Sequence, residues 1–111
     1  MTDPTQDEVL LVLTNLPDAA GAQTLATALI DAGLAACVNI LAPATSVYRW
    51  EGRVHTDAEV PMLVKTTRAA YPMLEKAIRA GHPYELPEII AVPVTLGLPD
   101  YLDWVRAETR P

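Results

Sequence analysis

Val9-Leu10-Leu11-Val12-Leu13 is an unbroken apolar run near the start of the chain. A short run of this kind is typical of a strand in the middle of a sheet, covered on both faces. It is too short to cross a bilayer, because a membrane helix needs about 20 apolar residues. We therefore predict that residues 9–13 form a central strand, and we expect no membrane insertion.

Beyond this run, helical and extended patterns alternate along the chain. Asn15-Leu16-Pro17-Asp18 is a helix-start signal, and Gly33 is a typical helix stop. A second helix begins between residues 68 and 72 and ends at Gly81, and a third opens at Pro99-Asp100. The remaining apolar stretches are extended, at residues 36–50, 60–66 and 88–95. The order is βαββαβ with an additional C-terminal helix.

The simplest packing of this order is an α+β, ferredoxin-like layer with two helices on one face of an antiparallel sheet. In that topology the first and third strands are central and the fourth lies at an edge. Pro93 falls in the fourth strand, where a proline is tolerated because an edge strand needs fewer ladder donors. We predict one domain over residues 1–111.

The second extended segment is too long for a compact monomer. If residues 36–50 are fully extended, they span about 50 Å, whereas a domain of this length has a diameter of about 35 Å. A hairpin turning at Glu51-Gly52 should then protrude and expose Val47, Tyr48, Trp50 and Val54. Self-association would cover such a surface. The alternative is that Pro43 bends the strand back onto its own sheet.

Composition and charge exclude several classes of protein. The chain has 111 residues, half of them hydrophobic, and a formal net charge of −6. No basic stripe is available for nucleic acid, whereas a cation is a compatible partner. Cys37 is the single cysteine, which rules out an intrachain disulfide. The polar, acidic residues 1–8 do not resemble a signal peptide, so we expect a cytoplasmic protein.

His82-Pro83-Tyr84-Glu85-Leu86-Pro87-Glu88, which we call the proline loop, is the best candidate for a functional segment. Its two prolines stiffen the backbone and carry no N–H. A stiff loop places an imidazole, a phenol and two carboxylates at little entropic cost. The alternative is a tight turn whose polar groups face water.

Lys65 interrupts an apolar strand and needs an explanation. A lysine there must pair, extend its amine to water or line a cleft. Glu59 and Glu85 are the candidate partners for an ion pair. The other interpretation is that Lys65 contacts an anionic ligand in a cleft.

Five motifs in order along the chain resemble the CutA divalent-cation tolerance family. They are Ala35-Ala36-Cys37-Val38-Asn39-Ile40, Tyr48-Arg49-Trp50-Glu51-Gly52, Lys65-Thr66-Thr67, the proline loop with Ile89, and Tyr101-Leu102-Asp103-Trp104. The resemblance implies a ferredoxin-like protomer, a homotrimer similar in architecture to the PII signalling proteins, and copper binding. Some members carry a cysteine and a second histidine where Thr14 and Gly81 stand here.

The candidate metal ligands are His82, Cys37 and Glu85, since imidazole, thiolate and carboxylate all suit copper or zinc. One cysteine and two histidines per chain cannot complete a closed four-ligand site, so the site should be open and weak. Cys37 could instead be a small buried hydrophobe. His55 lies in a polar run and is expected to face water.

Three functions follow as hypotheses. The first is a trimeric, cytoplasmic protein of the cation tolerance type that binds copper or another divalent metal weakly. The second is a PII-like sensor that holds an anionic small molecule between subunits, with Lys65, Tyr84, Glu59 and Trp50 at the cleft. The third is an interaction module that presents its hairpins. Trp50, with Tyr48, is more typical of packing at an interface than of a ligand cage. Catalytic motifs and Gly-rich phosphate loops are absent, so we expect neither an enzyme nor an organic cofactor.

Overall fold

The computed structural model describes residues 3–111. Met1 and Thr2 lie outside the described residues, so the predictions for residues 1–8 and for one domain over 1–111 reach beyond them. The elements follow in the order 3-10 helix Pro4–Asp7, β1 Val9–Leu16, α1 Ala19–Asp31, β2 Cys37–Ile40, β3 Ala44–Trp50, β4 Arg53–Thr67, α2 Tyr71–Gly81, β5 Ile89–Pro93 and α3 Pro99–Glu108.

The strands form one antiparallel sheet in the order β2-β4-β1-β5, and β3 pairs with the outer half of β4. The predicted second extended segment, residues 36–50, contains both β2 and β3, so β4 is the predicted third strand and β5 the fourth. The central positions of β1 and β4 therefore confirm the ferredoxin-like prediction. Pro93 lies in the edge strand β5 opposite Leu10, as predicted. Asp18 caps α1 by accepting a hydrogen bond from the Gly21 N–H at 2.7 Å, which explains the helix-start signal.

Helices α1 and α2 cover one face of the sheet. Alternate residues of β1 and β4 point into this layer, where Val12, Met62 and Val64 are completely buried. Leu74 and Ile78 of α2 are also completely buried. Burial of a side chain of this size contributes about 1.5–3 kcal/mol. This layer is the hydrophobic core.

Within the single chain, the cover predicted on both faces of residues 9–13 is complete on one face only. Leu11 and Leu13 alternate with the buried residues of β1 and are only half-buried. They share the second face of the sheet with their cross-strand partners Leu63 and Lys65 of β4 and with Ile90 and Val92 of β5. We call this the open face. Part of it is covered by α3, which packs against β4 and β1 through the buried Val105.

The β3–β4 hairpin protrudes from the domain. The molecule measures 48 Å along its longest axis and 26 and 25 Å along the others. At the tip, Glu51 and Gly52 have φ of 52° and 78°, the conformation that a two-residue hairpin turn requires. Val47 and Val54 are 67% and 65% exposed. Residues 41–43, including Pro43, separate β2 from β3, yet both strands pair with β4.

The start of β4 was predicted too late. The strand begins at Arg53 rather than at residue 60. Residues 53–59 pair only with β3 and have no buried face. Their sequence therefore lacks the apolar pattern that marks a strand. In α3, Val105 is completely buried, whereas Tyr101 is exposed. No helix among residues 3–111 is both long and apolar enough to cross a membrane.

Candidate functional site

His82 lies just after α2 and is bonded at both ring nitrogens. Its Nε2 lies 2.6 Å from the backbone oxygen of Asn15, and its Nδ1 lies 3.1 Å from the backbone nitrogen of Tyr84. A carbonyl oxygen only accepts and an amide N–H only donates, so Nε2 carries the proton and Nδ1 accepts. The imidazole is 9% exposed. His82 is therefore a hydrogen-bonded but buried residue, not a surface imidazole.

Further contacts hold the proline loop against the end of β1. The Asn15 side-chain amide donates to the Glu88 carboxylate at 3.3 Å. The rings of His82 and Tyr84 lie 4.7 Å apart, inclined at 53°. Glu85 is exposed and forms no ion pair in the described part of the chain. The loop therefore presents its free carboxylate outward while His82 anchors it.

The second predicted group, Tyr84 with Glu59, lies where the loop meets the base of the hairpin. Burial raises the pKa of Tyr84, and the Glu59 carboxylate raises it further. Nearby on the hairpin, Tyr48 donates a hydrogen bond to Asp57, which raises the pKa of Tyr48 to about 12. Both pKa values rise because burial and the neighbouring carboxylates favour the neutral phenol over the phenolate.

Trp50 lies near the tip of the hairpin, away from the proline loop. It pairs with Arg53 next to the turn and is 36% exposed. His55 is partly buried rather than fully exposed to water. Its ring stacks on Tyr48 with centroids 5.4 Å apart, and its Nε2 lies 3.3 Å from the Trp50 carbonyl oxygen.

Lys65 lies on the open face, and its predicted ion pair is wrong. Its Nζ is 4.0 Å from Cys37 Sγ and 5.6 Å from the centroid of the Tyr101 ring. Within residues 3–111, no carboxylate forms an ion pair with Lys65. Glu59 is six residues away on the same strand, about 20 Å along it.

The three predicted metal ligands do not form one site within a protomer. His82 bonds to Asn15, which pairs with Pro61, whereas Cys37 pairs with Lys65 four residues further along β4, about 13 Å away. No group of three His, Cys, Asp or Glu side chains in the described chain is close enough to hold an ion. His82 and Glu85 share one loop, and an imidazole nitrogen with one carboxylate fits a weakly held cation.

The sequence did not reveal the hydrogen bonds of Asn15 with His82 and of Asp57 with Tyr48. Asn15 was interpreted only as part of a helix start, and its bond to His82 joins residues 67 positions apart. Asp57 follows His55 by two residues on the same face of the hairpin, a spacing that strand alternation could have revealed. The position of Asp57 on this face could be predicted only if β4 was known to begin before residue 60.

Two surface grooves are lined by none of these candidate residues. One, of about 320 Å³, runs between α1 and β2 and is lined by Ala26, Ile30, Val38 and Ile40 among others. The other, of about 270 Å³, lies beside β5 and the start of α2. Neither groove is lined by a residue of the proline loop.

The fold and the anchored loop define a ferredoxin-like α+β protein with a long protruding hairpin. A family model described as "CutA1 divalent ion tolerance protein" matches residues 10–108. The divalent-cation tolerance protein CutA of Thermus thermophilus is 48% identical over 99 residues, covering 89% of this chain and 96% of that protein. The chain belongs to the CutA1 divalent ion tolerance family, which confirms the resemblance of the motifs.

Solved structures show the same fold. CutA1 from Oryza sativa superposes with a TM-score of 0.91 at 39% identity, covering 96% of this chain and 97% of that one. A protein from Archaeoglobus fulgidus, described as a periplasmic divalent cation tolerance protein, gives a TM-score of 0.89 at 32% identity, with coverage of 92% and 99%. The family description and the names of the Thermus thermophilus and Archaeoglobus fulgidus proteins refer to tolerance of divalent cations.

Proposed function

We propose that this chain is a cytoplasmic, non-enzymatic homotrimer that binds Cu(II) or another divalent cation weakly as part of a response to metal ions. The family supports the link to divalent cations. The observation that carries the binding site is the accepting Nδ1 of His82, on the same loop as the exposed Glu85. An accepting imidazole nitrogen is the form of histidine that ligates a metal.

The open face supports the assembly. Ile90 and Val92 are 52% and 46% exposed, and the partly exposed Leu11, Leu13 and Leu63 lie beside them. An apolar sheet face of this kind is normally covered by another layer. Two further copies of the chain would supply that layer and would also cover the apolar side chains of the hairpin.

His82 and Glu85 would hold the cation, and solvent would complete its coordination. Bound there, the cation supplies a positive charge at the loop of an otherwise acidic protein. Two protein donors give low affinity, in keeping with an open site. Cys37 is too far along β4 to contribute from the same protomer.

Calorimetric titration with Cu(II) tests the site. We expect saturable binding by the wild-type chain and loss of that binding in His82→Asn, because the accepting nitrogen is removed. His55→Asn is the matched control, since His55 is the other histidine of the chain and is absent from the loop. We expect it to bind as wild type does. Equal binding by all three proteins, or none by wild type, would contradict the proposed site.

A second function, a PII-like sensor of an anionic ligand, is favoured by one observation. Lys65 carries its charge on the open face beside Tyr101 and Cys37, without an ion pair in the described chain. Tyr84, Glu59 and Trp50 lie elsewhere, so Lys65 would act with groups from a neighbouring protomer. Lys65→Ala separates the two functions, because it removes anion binding and leaves the His82 site intact.

A further inference from the structure

The proline loop places a backbone N–H where a cation would have to bind. His82 offers one lone pair, at Nδ1, and the N–H of Tyr84 occupies it at 3.1 Å. The other nitrogen is protonated and donates to Asn15 at 2.6 Å. A nitrogen lone pair cannot accept a hydrogen bond and ligate a metal at the same time. Cation binding therefore requires the Tyr84 N–H to move away.

The rest of the loop makes this obstruction persistent. His82 is buried, and Tyr84 packs against its ring at a centroid distance of 4.7 Å. The bond between Asn15 and Glu88 holds the far end of the loop to the same strand. Pro83 and Pro87 restrict the backbone on either side of Tyr84. The N–H of Tyr84 is thus held at Nδ1 by contacts at both ends of the loop.

We propose that the proline loop is a latch, closed when the Tyr84 N–H bonds to His82 and open when a divalent cation takes that nitrogen. This inference rests on the proposed cation site and adds its regulation. Closure and cation binding exclude each other, so anything that holds the loop shut weakens binding. The latch also makes binding a conformational signal, because Tyr84 leaves its place at the base of the hairpin when the cation arrives.

Two substitutions at Tyr84 isolate the N–H. Tyr84→Pro removes both the side chain and the N–H, whereas Tyr84→Ala removes the side chain and keeps the N–H. We expect Tyr84→Pro to bind Zn(II) roughly 3- to 10-fold more tightly than Tyr84→Ala, because the net free energy of one hydrogen bond changes a dissociation constant by about that factor. Calorimetry with Zn(II) measures both affinities.

Each result of this comparison is decisive. Equal affinity in the two variants, or weaker binding by Tyr84→Pro, overturns the latch and leaves the cation site standing. No binding by either variant overturns the latch together with the cation site. Tighter binding by Tyr84→Pro than by Tyr84→Ala supports the latch.

A second measurement on the unmodified chain covers the case in which Tyr84→Pro does not fold. Zn(II) is diamagnetic, so the amide signal of Tyr84 can be followed by NMR during a titration. We expect slow hydrogen exchange at the Tyr84 amide without Zn(II) and at least severalfold faster exchange at saturation. Exchange that stays equally slow with Zn(II) bound would overturn the latch.

Discussion

His82 is positioned by hydrogen bonds that no local sequence pattern reveals. The sequence predicted that the proline loop is a stiff functional segment, and it identified His82 and Glu85 as its polar groups. It could not predict that the imidazole bonds to Asn15, because these residues are 67 positions apart. It offered carboxylate partners for Lys65 as one of two interpretations, whereas strand geometry sets Lys65 beside Cys37 and Tyr101.

Gly33 gives a prediction at this scale. Its φ is 71°, and a Cβ would overlap the backbone oxygen of Arg110. Gly52 has a similar φ of 78°, but a Cβ there would meet nothing. We expect Gly33→Ala to destabilise the fold by about 2–3 kcal/mol and Gly52→Ala by about 1 kcal/mol. Urea denaturation measures both. Equal losses would show that the contact with Arg110 contributes nothing.

Among the elements, the hairpin shows where sequence patterns fail. The buried half of β4 has an alternating pattern and was predicted as a strand. Residues 53–59 have no buried side, so their pattern did not mark them as part of that strand, although the predicted hairpin required them to return along β3. The turn at Glu51-Gly52 was nevertheless found, because local backbone chemistry determines it. Side-chain bonds across the two strands, such as the one between Tyr48 and Asp57, then stabilise an element that lacks a core.

This bond predicts a pH dependence of the hairpin. The hydrogen bond that Tyr48 donates to Asp57 raises the pKa of Tyr48 to about 12, above the ordinary tyrosine value of 10.0. The bond's contribution to stability is therefore complete below pH 10 and is lost as the pH rises from 10 to about 12. Phenolate absorbance of wild type, compared with Tyr48→Phe, follows this ionisation. In Asp57→Asn the pKa of Tyr48 should fall towards 10; no change would exclude the bond as its cause.

The whole molecule combines a well-packed layer with a sheet face that is only partly covered. From the residues themselves, the sequence predicted self-association on one ground, the protruding hairpin with its exposed apolar side chains; the family resemblance implied a trimer. The structure adds a second reason, because the open face exposes Ile90 and Val92 next to Leu11, Leu13 and Leu63. The sequence could not reveal this face, since an unbroken apolar run does not show which side is covered within one chain.

Assembly and cation binding can be measured together by native mass spectrometry of the wild-type chain and of His82→Asn, each with Cu(II). We expect both proteins to have three times the mass of the 12.0 kDa chain, and only the wild-type trimer to carry copper above background. Leu63→Glu should dissociate the trimer, because it places a charge on the open face, whereas Leu63→Met should not. A wild-type mass of one chain, or an equal copper load on the His82→Asn protein, would contradict a trimer that binds copper through His82.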